Sequence, residues 1–351
     1  MNSFFKKAHR SMKLFSRFLD FYLWLLFDPF KFNKIKENKI KKVLIVNLAF
    51  IGDVLATTPL IKALKNKFGS VSIMILPTCK EVIIGNPDIN KILFYHNEFF
   101  KDLKLLKREK FDLVAIIYPG SFKVSIMCLL AGIPYRIGCE PVGVFQGKGF
   151  FLNKKVKPSF KEKHEVENFL DISRLVNADN TQPKIEFYFS KQEELFANKF
   201  LRKNKVKKFV IIHPGKRGKF YSEYSYSLEN LAKIADYLVE KYKVKVMITG
   251  AKGEEKIAEE IITNMKNKKQ AIIAAGKLNL KQSAVLLKKA ELLISIDTGV
   301  VHIASSFNKR IIVLNVKYPK TWYPYTDKNN YKILQNPSIK EIIFSIKQLL
   351  K

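Results

Sequence analysis

Residues 41–68 read KKVLIVNLAFIGDVLATTPLIKALKNKF, and the change of period inside them decides the fold. The run VLIVNLA is aliphatic and β-branched, as in a strand buried on both faces. From Leu60 the apolar positions fall at Leu60, Ile61, Leu64 and Phe68, the spacing of one helical face. Gly52 and Asp53 stand where strand hands over to helix. That corner, at the carboxyl end of a parallel strand, is where open α/β sheets hold ligands. The same residue types also make ordinary local structure, since Asp caps helices and Gly fills tight turns. By itself the stretch leaves both roles open for Asp53.

The alternation continues on both sides of a central break. In the first half VSIMILP, KILFYHN and FDLVAIIYP are strand-like, with LKLLKREK helical between the last two. EKHEVENFLDISRLV then reads as a helix over about 162–176, and the turn-forming NADNTQPK marks a domain boundary. A second series follows: KKFVIIHPG, VKVMITG, AIIAAG, LLISIDTG and RIIVLNV as strands, separated by the helical SLENLAKIADYLVEKY, EEKIAEEIITNM, LKQSAVLLKKA and VVHIASSF. Such alternation gives parallel sheets wound with helices on both faces. The expected organisation is an amphipathic segment over 1–40, a Rossmann-like acceptor-side domain over 41–180 and a Rossmann-like nucleotide-sugar domain over 181–335. A carboxy-terminal helix occupies 336–351, with the option of packing back on the amino-terminal domain. Two doubly wound domains facing across a cleft would give each substrate its own domain. Neither half carries GxGxxG or GxxxxGK[ST], so the dinucleotide fingerprint and the Walker loop are both missing.

Composition narrows the chemistry. The 351 residues suit two domains, and 47% hydrophobic content is enough for two cores. Cys79, Cys128 and Cys139 form no CxxC pair, and the five histidines form no HExxH, so neither a disulfide framework nor a protein-bound metal is expected. A reducing cytoplasm fits that cysteine usage. The formal net charge of +32 draws a chain toward polyanions, such as anionic lipid or a phosphorylated glycan. Lysine is spread through plain surface stretches such as TNMKNKKQ, and no zinc finger, RNP-like strand or basic zipper focuses it. Nucleic acid is therefore not expected as the main partner.

The first forty residues differ from the rest in being aromatic and basic together. The uncharged core FYLWLLF is bounded by Asp20 and Asp28, well short of the roughly 20 apolar residues of a spanning helix. Leu14, Phe15, Phe18, Leu19, Tyr22, Leu25 and Leu26 share one broad helical face. With cations on both sides, the segment reads as an interfacial helix on an anionic membrane surface; a helix packed on protein is the alternative.

Each strand end of the second half offers a polar group to one edge. HPGKRGKFY supplies Gly215 for the turn, with Lys216, Arg217 and Lys219 as phosphate-seeking cations. TGAKGEE supplies Gly250 and an acid, Glu254 or Glu255, suited to ribose hydroxyls. SIDTGVVHIA sets Asp297, Thr298 and Gly299 at a helix start, which favours an anion, with His302 one turn further on. Each of these residues has an ordinary structural role as well: caps for Asp297 and Thr298, core packing for His302, solvation for Lys219. Together they describe a diphosphate site, and a sugar nucleotide is the economical ligand.

These segments, in order from about Lys41 to Leu314, resemble the bacterial heptosyltransferases of glycosyltransferase family 9. The resemblance implies a GT-B fold, an ADP-heptose donor and transfer onto the lipopolysaccharide core or a related glycolipid. It places the enzyme at the cytoplasmic face of the inner membrane, without a metal or other cofactor. It makes Asp53 the general base, with Gly52 and Thr57 in the acceptor-side loop, and Lys219 a contact to donor phosphate. It also matches Asp297, Thr298, Gly299 and His302 to the D-[ST]-G-x-x-H signature at the donor diphosphate, and Glu254 or Glu255 to the ribose-binding acid. The chain departs from the family at Tyr221, where a Trp is usual, and in its basic aromatic extension. Other readings of the same residues are a GT-B transferase or epimerase for a different nucleotide sugar, and an inactive membrane-surface binding protein.

Overall fold

The computed structural model describes residues 35–117, 122–139, 151–157, 159, 162–215, 225–316 and 320–350. The amphipathic helix expected near the amino terminus, and Lys216, Arg217, Lys219 and Tyr221, lie outside the described residues. The chain divides into two compact units, one holding the chain up to Lys80 with Asn86–Pro183, the other Glu81–Gly85 with Lys184–Lys351.

The first unit is built on β1 (Val43–Asn47), α1 (Ile51–Ala56), α2 (Thr58–Phe68), β2 (Val71–Ile75), β3 (Lys91–Phe94), α3 (Phe99–Glu109), β4 (Leu113–Ile116), α4 (Phe122–Leu130), β5 (Tyr135–Cys139), β6 (Lys154–Val156) and α5 (Glu165–Arg174). Its described strands are parallel in the order β3-β2-β1-β4-β5-β6. β1 is buried along its whole length because helices cover both faces. On one face Leu44, Val46, Met74 and Val114 meet Leu106 of α3 and Val124 and Met127 of α4. α5 packs beside α1 and α2. His164 starts α5 by accepting the Val166 N–H at Nδ1, 3.1 Å.

β5 and β6 carry no clear strand pattern in the sequence. β5 is interrupted by Arg136, which is 5% exposed. Its guanidinium is satisfied by backbone carbonyls of Phe151, Ile133 and Pro134 at 2.5, 2.5 and 3.1 Å. A buried cation is tolerable when its donors are matched in this way. β6 is a short edge strand whose lysines face outward, a common way of blunting a sheet edge.

The second unit repeats the plan with α6 (Lys191–Lys203), β7 (Phe209–His213), α7 (Leu228–Tyr242), β8 (Lys245–Ile248), α8 (Glu255–Asn264), β9 (Ala271–Ile273), α9 (Leu280–Lys289), β10 (Leu293–Ile296), α10 (Gly299–Ser306), β11 (Ile311–Leu314), β12 (Tyr331–Leu334) and α11 (Ile339–Leu349). Its described strands are parallel in the order β12-β11-β10-β7-β8-β9. Counted from its own first strand, this is the order of the first sheet and of doubly wound dinucleotide folds. α7 begins where Ser227 Oγ accepts the Asn230 N–H at 3.2 Å. It buries Leu231, Ile234, Ala235 and Leu238 at helical spacing. α11 places Ile342, Ile346 and Leu349 in the core of the second unit with α7. Its apolar stripe completes the cover over β11 and β12.

Residues Glu81–Gly85 cluster with the second unit through α9. The Leu280 N–H donates to Glu81 Oε2 at 3.1 Å and the Lys281 ammonium to the Ile84 carbonyl at 2.6 Å.

Candidate functional site

In a doubly wound sheet the strand order reverses at one point, and the crevice at the carboxyl ends there is where ligands bind. In the first unit that point lies between β1 and β4; in the second it lies between β7 and β10.

Asp53 follows β1 and is the third residue of α1. Its Oδ2 accepts the Phe50 N–H at 3.1 Å. The corner is braced by buried Asn47, the last residue of β1. Its side chain donates to the Asp53 carbonyl at 3.1 Å and accepts the Ala49 N–H at 3.1 Å. Asp53 therefore does cap the helix start, and one oxygen suffices for that. Burial raises its carboxyl to about 6, with the Phe50 N–H pulling the other way. The result is a carboxylate at neutral pH that binds a proton more readily than an exposed Asp. Gly52, expected in a turn, is instead the second residue of α1, in the same first helical turn as Asp53. Thr57 stands apart from these two: it is fully buried, and its hydroxyl donates to the Val54 carbonyl at 2.6 Å. It shapes the junction between α1 and α2.

Two further groups feel Asp53. The Cys79 thiol is pushed up by burial and by the Asp53 charge, and it donates to the Ala49 carbonyl at 3.4 Å. Glu165, the first residue of α5, is only 1% exposed. Burial pushes its carboxyl up to about 7, with the neighbouring Asn168 amide pulling the other way and the Asp53 charge adding to the rise. Neither oxygen has a hydrogen-bond partner among the described residues. The nearby Asn168 amide donates instead to the Ser159 carbonyl at 3.3 Å. Sequence reasoning placed Glu165 inside a helix and gave it no role.

In the second unit, Gly215 and Asp297–Gly299 sit at the ends of the two switch-point strands, β7 and β10. Gly215 has φ +71°, and a Cβ built on it would fall 2.3 Å from Ile296 Cδ1 and 3.6 Å from Thr298 Cγ2. Glycine is required there both by the left-handed backbone and by the close approach. Thr298 is the residue before the first turn of α10, and its hydroxyl is 3.4 Å from Ser295 Oγ. The start of α10 carries backbone N–H groups without helical partners, and these with the helix dipole suit an anion. His302 lies one turn in, buried with its ring edge-on to Trp322 at 6.1 Å.

Next along the edge, Gly250 follows β8. A Cβ on it would come within 2.8 Å of Glu254 Oε2, so Glu254 is held against this strand end. Glu254 Oε2 also accepts the Ala251 N–H at 2.8 Å. Glu255 instead leans on the loop after β9, where a Cβ on Gly276 would overlap its carboxylate, and it accepts the Gly253 N–H at 2.8 Å. The two acids thus belong to different strand ends, and Glu254 is the one beside the switch point.

His213, which ends β7, was not singled out in the sequence. Its Nδ1 is 3.1 Å from Thr249 Oγ1. Burial pushes its pKa down to about 4, so the ring is neutral at pH 7. The available signal was its place as the last strand residue before Pro214 and Gly215. Among the described residues no group of three His, Cys, Asp or Glu side chains converges as a metal set.

The model of glycosyltransferase family 9 (heptosyltransferase) matches residues 100–343. Over 302 residues the chain is 24% identical to the lipopolysaccharide core heptosyltransferase OpsX of Haemophilus influenzae, covering 83% of each. Among solved structures, the family 9 glycosyl transferase of Veillonella parvula superposes with a TM-score of 0.77 at 19% identity, covering 88% of this chain and 97% of that one. The Escherichia coli ADP-heptose lps heptosyltransferase II gives 0.72 at 17% identity, covering 88% and 98%. The structural likeness establishes the α/β GT-B fold.

Proposed function

The chain belongs to glycosyltransferase family 9, and from that premise we propose that it transfers a heptose from ADP-heptose to a lipopolysaccharide core or related glycolipid. Two of the relatives named above, from Haemophilus influenzae and Escherichia coli, are heptosyltransferases of lipopolysaccharide, which supports the substrate class. The observation that carries the mechanism is Asp53: a switch-point carboxylate with one oxygen on the Phe50 N–H and its proton affinity raised by burial.

In this mechanism Asp53 accepts the proton of an acceptor hydroxyl as that oxygen attacks the anomeric carbon. The new C–O bond forms as the bond to the diphosphate breaks, and the configuration inverts. ADP leaves as a stable anion, so no paired acid is needed to protonate it. The second unit would hold the diphosphate at the start of α10 and beside Gly215, with Glu254 on the ribose. Lys216 and Lys219 would supply positive charge to the leaving group, in place of a metal.

The basic, aromatic amino-terminal segment would keep the enzyme on an anionic membrane surface beside its acceptor. Among the described residues no helix is long and apolar enough to cross a membrane.

Asp53→Asn tests the proposal. General base catalysis contributes roughly a hundred- to ten-thousand-fold, so transfer should fall by at least that lower figure while ADP binding persists. Transfer near the parent rate would remove Asp53 from the chemistry.

A further inference from the structure

Glu165 poses a physical problem that the reaction as described does not use. A carboxyl group taken out of water without a donor is costly, and native proteins leave few such groups. Glu165 is 1% exposed with both oxygens unpartnered among the described residues. It opens α5, which packs against α1, the helix that carries Asp53. Two carboxyl groups sharing a poorly solvated place cannot both ionise cheaply, so one of them keeps its proton.

The surroundings decide which one. Asp53 is the more solvent-accessible of the two and has the Phe50 N–H on Oδ2. Glu165 is almost wholly shut off from solvent and has no backbone N–H on either oxygen among the described residues; the Asn168 amide beside it favours the ionised form but donates to the Ser159 carbonyl at 3.3 Å. The other charged groups on the elements packed against α5 are cations, and most are engaged elsewhere. Lys65 donates to the Gly69 carbonyl, Lys67 to the Val176 carbonyl, Lys154 to the Leu175 carbonyl and Arg136 to three backbone carbonyls. Lys62 on α2 and Lys155 on β6 complete that set. On α5 itself Arg174 pairs with Asp171 and Glu167, and His164 Nδ1 accepts the Val166 N–H. Asp53 is the charged side chain whose field reaches Glu165.

We propose that Glu165 is a positioning residue for transfer: the Asp53–Glu165 pair works with a single proton, held by Glu165, so that one negative charge rather than two lies between α1 and α5. Ionised Asp53 then takes the acceptor's proton, while the neutral acid keeps the two helices packed and Asp53 seated on Phe50. Loss of the second proton would set two carboxylates against each other and add repulsion toward an anionic substrate. The proposal rests on the reading of Asp53 as the base.

The test is the pH dependence of kcat/KM, with ADP-heptose as donor and heptose-deficient lipopolysaccharide as acceptor. The parent enzyme should give a narrow bell, with limbs near 6 and 7 that belong to the pair. Its activity at pH 8 should lie about tenfold below the peak. Glu165→Gln should remove the alkaline limb, so that the ratio of activity at pH 8 to that at pH 6.5 rises about tenfold whatever the absolute rate. An unchanged ratio, or a uniform loss at every pH, would overturn the proposal.

A second measurement needs neither turnover nor the Gln variant. Carbon-13 carboxyl titration should show Glu165 titrating at lower pH in Asp53→Asn than in the parent, and an unmoved Glu165 also overturns the proposal. If Asp53→Asn retains transfer, the base assignment fails, and the one-proton working state proposed on it fails too. If that variant is inactive and the Glu165→Gln bell persists, only the role of Glu165 fails.

Discussion

The Phe50 N–H donates to Asp53 Oδ2 at 3.1 Å, so the acid that opens the first switch point also caps its helix. Structural and catalytic roles can therefore be separated by substitution. An Asn at position 53 still presents an oxygen to Phe50 but cannot accept a proton as a carboxylate does.

Asp53→Asn should accordingly stabilise the fold at high pH even as it abolishes transfer. The carboxyl titrates at about 6 in the native state against 3.8 as an ordinary Asp. The native state thus holds the proton more tightly than the unfolded chain. Its contribution is fully present below pH 3.8 and is lost as pH rises through 6. Urea unfolding at pH 8 should show the variant more stable by about 1–2 kcal/mol, after allowance for solvent at this half-buried group. At pH 3.5 the difference should vanish.

Gly215→Ala should damage the second unit's site directly. The added methyl would meet Ile296 Cδ1 at 2.3 Å from a backbone with φ +71°. A cost of about 1–3 kcal/mol follows from strain and overpacking. Calorimetry should show ADP affinity lowered at least tenfold. Adding Ile296→Val should recover only part of the stability, because it removes Cδ1 but leaves the Cγ1 position 2.6 Å from the new methyl, together with the backbone strain.

His213 sets a limit in acid. Its native pKa of about 4 lies below the ordinary 6.5, so the unfolded chain gains a proton first as pH falls. The stability this neutral ring supports is complete above 6.5 and is lost as pH drops through 4. His213→Gln should flatten the fall in stability over that window by about 1–2 kcal/mol, read from urea midpoints. Parallel curves for parent and variant would mean the ring is freely protonated.

Chelation addresses the charge on the leaving group. If cationic side chains and the start of α10 stabilise the diphosphate, EDTA treatment should leave transfer within about twofold of the untreated rate. A loss that magnesium restores would assign that role to a metal.

The fold was legible wherever burial and period agreed. Val43–Asn47, buried on both faces, reads as a strand from composition alone, and the apolar stripe of Leu228–Tyr242 reads as a helix. Tyr135–Cys139 was not legible, because Arg136 interrupts the run and only folded neighbours supply the carbonyls that permit it. The same division holds at the site. Gly215, Gly250 and Asp297–Gly299 were visible as strand-end punctuation. The separation of Glu254 from Glu255 depends on which glycine each one leans against. Glu165 depends on a helix that approaches from more than a hundred residues away in sequence, which no local pattern encodes.

The attachment of Glu81–Gly85 to α9 carries a practical lesson for anyone dissecting this enzyme. The polypeptide passes from one unit to the other three times rather than once, so scission after Pro183 does not release two self-sufficient halves. A carboxy-terminal fragment would forfeit the Ile84 carbonyl that answers Lys281 and the Glu81 carboxylate that answers Leu280. Grafting those five residues back, by permutation or as a tethered peptide, is the route to an isolated second unit.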